Sequence, residues 1–190
     1  MTIDPGWIRD QTTDGIRPHR PMTEQEVARA KQLAESTVPT GEAEQELDEF
    51  RSYRDLLNDH EVLQHATLTN GGGWAIPVGG TRRGGFISVE DIEHGEQIVQ
   101  RLAALPGFPN VRLEPSTDDE VCDVVRWGDD EPELPDFEAS DAAWACHDIE
   151  SGRLYGYRED AIREYVTDHW GAAVAGEAMR MSGVSGNQGC

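Results

Sequence analysis

Three groups of residues have the types and spacing to do chemistry. The first is Gly79-Gly80-Thr81-Arg82-Arg83-Gly84-Gly85, with glycines five apart as in a phosphate-binding loop. Such a loop needs Lys followed by Ser or Thr after its second glycine, to reach the outer phosphates and a magnesium ion. Here Gly85-Phe86 follows, which excludes a nucleotide-hydrolase loop. A weaker use survives, in which Gly80, Thr81, Arg82, Arg83 and Gly84 hold an anion or a partner's carboxylate. The plain alternative is a turn. The second group is the acidic, proline-containing stretch Gly128–Asp141, where Asp129, Asp130, Glu131, Glu133 and Asp136 would form a carboxylate surface on an exposed loop. The third is Cys146-His147-Asp148 with Glu150, joined by Cys122.

His147, Asp148 and Glu150 could supply general acid–base or divalent-ion chemistry, as in a small metal-dependent hydrolase. Against that, Cys122 and Cys146 lack zinc-type spacing, and His60 and His65 do not match a helical ligand pair. On a regular strand Cys146 and His147 would point to opposite faces. The cysteines read as reduced core thiols, and no metal or cofactor is expected. The sole lysine, Lys31, lies in a charged N-terminal segment, which leaves none on the sheet for Schiff-base or Glu-x-Lys nuclease chemistry. Gly183-Val184-Ser185-Gly186-Asn187 fails the nucleophile-elbow pattern at its last position.

These groups sit in a chain of 190 residues with 37 acids, 16 bases and a formal net charge of −21. Residues 116–190 carry a net of −13, and residues 71–115 only −1. Such a chain is repelled by nucleic-acid backbones and anionic lipid and attracted to basic proteins. No apolar run reaches the length of a membrane span, and the start lacks a basic-then-apolar leader, so a cytoplasmic setting is expected.

The elements that must position these groups follow from periodicity and breakers. Residues 1–21, with Pro5, Pro18 and Pro21, read as an extended arm. Residues 22–60 read as a helical hairpin, with a capping box at Thr23–Glu26 and a second helix carrying Leu47, Phe50, Tyr53 and Leu57 on one stripe. Residues 61–170 read as an α+β domain with a mostly antiparallel sheet and one or two packed helices, its strands joined by hairpins. Within it, Trp74–Val78 and Phe86–Val89 form a β-hairpin whose tip carries Arg82 and Arg83. Glu90–Leu105 is a helix, and Val111–Leu113 and Val121–Trp127 are strands. Ala142–Ile149 and Arg153–Tyr157 make a second hairpin across Gly152, and Arg158–Trp170 is a helix. Residues 171–190 read as a flexible tail.

The runs Pro77–Gly85, Pro106–Leu113 and Gly152–Tyr157 with Ala161-Ile162 resemble a small uncharacterised domain family of high-GC Gram-positive bacteria and their phages and mobile elements. The resemblance spans about residues 74–167. It implies the domain and a cytoplasmic setting, and brings no activity with it. The expected function is a non-enzymatic, acidic accessory protein that binds a basic partner. Nucleic-acid mimicry is its boldest version, and no direct nucleic-acid or membrane binding is expected.

Overall fold

The computed structural model describes residue 28 and residues 43–69, 73–89, 91–116 and 122–184. The arm over 1–21, most of the first helix of the expected hairpin and residues 185–190 lie outside these. Among the described residues the chain is an α+β fold of five helices and two small antiparallel sheets. Helix α1 spans Ala43–Leu56, and Phe50, Tyr53 and Leu56 are buried on one face, as the stripe predicts. A short 3-10 turn, Glu61–His65, leads to β1 (Thr67–Leu68), which pairs with β2 (Trp74–Ala75). Strand β2 stops before Pro77, which has no amide to give a neighbour.

The main sheet has the order β3-β5-β4, from Gly84–Val89, Asp123–Gly128 and Arg112–Glu114, and every pairing is antiparallel. Helix α2 (Ile92–Ala103), capped by Asp91, connects β3 to β4, and β5 slots between them. That crossover with an inserted strand differs from the all-hairpin connectivity expected. Alternation does its usual work in β5: Val125 and Trp127 face α2 and are fully buried, whereas Arg126 faces away. The resulting core holds Val89, Ile98, Leu102, Phe108, Val125 and Trp127.

Three sequence-based expectations are corrected here. The stretch expected as a hairpin is one helix, α3, over Asp141–Leu154, with Ser140 as its N-cap. Ala142, Ala145, Cys146, His147, Asp148, Ile149, Ser151 and Leu154 are all buried, so α3 is covered on most sides and lacks the single apolar stripe that announces a helix. The supposed tail is helical over Ala172–Val184 (α5) and packs on α3 through Ala175, Ala178 and Ser182. Helix α4 (Glu159–Trp170) completes the layer, burying Ile162 and Val166. Helices α1, α3, α4 and α5 enclose a second core with Phe50, Leu57, Leu68, Trp74, Ile76, Ile149 and Ile162. Arg153 ties this layer together, making a double contact with Glu159 at 2.7 and 3.1 Å and donating to the Ser182 carbonyl at 3.3 Å. Cys146 is disulfide-bonded, not a reduced thiol, and Cys122 is free and exposed.

Candidate functional site

The glycine/arginine turn is real but smaller than expected. Gly79 and Arg82 exchange two backbone hydrogen bonds at 2.9 Å around Gly80-Thr81. The flanking runs do not pair with each other. The Val78 amide donates to the Gly107 carbonyl, and β3 pairs with β5.

The two arginines have opposite environments. Arg82 is only 6% exposed. It donates to the carbonyls of Ile76 (3.2 Å) and Tyr155 (2.6 Å) and bonds the Tyr157 side chain. Burial holds its pKa below the usual guanidinium value, with Tyr157 and Tyr53 acting the other way. Burial likewise raises Tyr157, opposed by Arg82. Arg82 is therefore an internal clamp between the turn and the end of α3. Arg83 is exposed and pairs with Asp129 at 3.4 Å. So the tip does not present two adjacent cations to solvent. Its outward residues are Thr81, Arg83 and Gly80, which sits against Asp59, while Gly84 is buried beside Leu154.

The acidic loop lies directly beside this turn. Gly84 pairs with Gly128, and the Asp129 amide donates to the Arg83 carbonyl at 2.9 Å. At Gly128, with φ of 85°, a Cβ would come within 2.1 Å of the Arg83 oxygen, so only glycine allows the two segments to cross this closely.

The expected carboxylates then divide. Asp129 meets Arg83; Asp130 meets Arg112 at 2.6 Å; Glu131 meets Arg126 at 2.7 Å and accepts from the Tyr155 hydroxyl. Arg126 also binds Glu114 at 2.6 Å and lies over the Phe86 ring at 5.3 Å. Glu114 in turn binds Arg112 at 2.8 Å. Glu133 and Asp136 are exposed and form no ion pair among the described residues. Two solvent-open hollows line this region: about 490 Å³ by Asn110, Arg112, Gly128, Asp129 and Asp130, and about 440 Å³ by Asp136, Phe137, Glu138 and Ala139.

Sequence reasoning missed the network of Arg112, Glu114, Arg126 and Tyr155. Its signal was the β5 alternation, which puts Arg126 opposite Arg112 and Phe86 in one cross-strand row.

The third group does not come together as a set of three, although His147 Nδ1 lies 3.8 Å from Asp148 Oδ1. His147, Asp148 and Glu150 stand on α3, where successive residues turn by about 100°. Asp148 accepts from the Trp170 indole at 2.7 Å, and His147 is buried with neither ring nitrogen hydrogen-bonded. Among the described residues no three His, Cys, Asp or Glu side chains are grouped to hold a metal ion. No described helix is long and apolar enough to cross a membrane.

Fold and site together define an α+β domain that displays an acidic loop, anchored at its start by arginines from the sheet. Residues 41–182 match the DUF6302 family, a family of unknown function, and the chain belongs to it. The match takes in α1 and most of α5, outside the blocks that carry the resemblance. No curated protein and no solved structure matches the chain.

Proposed function

We propose that this protein is a non-enzymatic interaction module whose 129–138 loop engages a basic protein partner. The observation that carries the reading is the division of carboxylates. Asp129, Asp130 and Glu131 are paired with Arg83, Arg112 and Arg126, two of which also hold Glu114, while Glu133 and Asp136 remain exposed and unpaired among the described residues. A structural acidic loop needs only the first set. The second set makes no ion pair with a described residue and presents charge outward. The arginines interrupt what would otherwise be a continuous row of negative charge. The surface therefore suits a cationic protein patch better than it imitates a nucleic-acid backbone.

A lysine-only peptide titrated against the full chain tests the reading. Binding should weaken by about tenfold as sodium chloride rises from about 0.05 to about 0.2 M, because exposed charges are screened. Absent binding, or binding indifferent to salt, contradicts it.

A further inference from the structure

We propose that Leu134 and Phe137 are apolar anchors that insert into a cleft of the partner protein, a cleft rimmed by Lys and Arg. This deepens, and rests on, the reading of the 129–138 loop as a surface for a basic partner. Phe137 is 90% exposed and Leu134 61%, the two highest values among the large hydrophobic residues described. They stand three residues apart on one loop.

The loop is held at both ends. Upstream, Asp130 and Glu131 are fixed by Arg112 and Arg126, and Tyr155 donates to Glu131. Downstream, Ser140 caps α3 by accepting from the Ala143 amide. Between these points the Ala139 amide donates to the Asp136 carbonyl at 2.8 Å, closing a turn that carries Phe137 on its second residue. Pro132 and Pro135 fix two further backbone torsions. A segment stiffened in this way loses little conformational freedom on docking, so its side chains can bind efficiently.

Charge identifies the occupant. Glu133, Asp136 and Glu138 flank the two anchors, are exposed, and form no ion pair among the described residues. An apolar cleft that accepts Leu134 and Phe137 must bring these carboxylates to its rim, and only a basic rim compensates their lost hydration. A second copy of this chain is a poor match at a net charge of −21.

The test uses the full chain and two peptides with equal numbers of lysines: an amphipathic Leu/Lys helix and a flexible Gly/Lys peptide. The wild type should bind Leu/Lys at least about tenfold more tightly. Leu134→Ser with Phe137→Ser should erase that margin, about threefold or more per side chain. Gly/Lys binding and melting temperature should not change, because both residues are exposed. A wild type that binds Gly/Lys but shows no preference overturns the anchors alone, as does a margin that survives the double substitution. A wild type that binds neither peptide overturns the parent reading as well. Sedimentation adds one further outcome: a wild-type dimer dispersed by Phe137→Ser would assign the anchors to a second copy and overturn the basic partner.

Discussion

Arg82 and Arg83 are chemically identical neighbours with unequal work. The buried guanidinium of Arg82 bonds Ile76, Tyr155 and Tyr157, so Arg82→Ala removes three hydrogen bonds and opens a gap, although the Ile76 carbonyl keeps its bond from the Trp127 indole at 3.0 Å. A loss of about 3 kcal/mol is expected in urea unfolding. Arg83→Ala breaks only an exposed pair and should cost no more than about 0.5 kcal/mol. Equal losses would contradict the inward turn of Arg82. Alternation along an extended chain does send adjacent side chains to opposite sides, so the sequence did imply that one arginine must point away from the tip. Which of the two turns inward depends on tertiary acceptors more than 70 residues distant, and these are not readable locally. Glu159 supplies a pH signature at the same scale. Its hydrogen bond with Arg153 lowers its pKa, so its contribution is present above the usual carboxylate range and lost as pH falls through the folded value. Glu159→Gln should cost under about 1 kcal/mol at neutral pH, a modest figure because the pair is partly exposed. Melting curves of variant and wild type should converge in acid; a gap that persists or widens there would contradict the linkage.

At the scale of elements, legibility followed amphipathicity. Helices α2 and α4 and strand β5 each meet solvent on one side and the core on the other, and their periods show it. Helix α3 is enclosed by α4, α5 and the second core. With no exposed stripe, its Gly152 resembled a turn. Helix α5 buries small residues, Ala175, Ala178 and Ser182, that carry little hydrophobic signal. If α5 is docked as described, Ala178→Arg, at a fully buried position, should destabilise the protein by at least about 2 kcal/mol. Gly176→Ala, where the nearest neighbouring atom is the Arg180 guanidinium at 3.8 Å, should stabilise it by about 0.5–1 kcal/mol through helix propensity. A frayed segment would register neither change, and thermal melts distinguish the two cases.

For the whole molecule, the excess of acid is uneven in consequence as well as in place. Part of it is spent internally: Arg83, Arg112 and Arg126 stitch the start of the acidic loop to the sheet, and Arg153 with Glu159 joins the helices. The sequence displayed the loop and its five candidate carboxylates. It could not show which were paired with arginines, because the partners come from β4, β5 and the turn before β3. Nor did it flag Leu134 and Phe137, since an apolar residue in a polar run normally signals burial and here signals display. The most direct measurement compares lysine-peptide affinity at low salt for Glu133→Gln/Asp136→Asn and for Asp129→Asn/Asp130→Asn. Both double variants remove the same formal charge. The account predicts that the first loses most of the affinity and keeps its stability, while the second loses less affinity and some stability. Equal loss of affinity in the two, or a larger loss in the second, would contradict it.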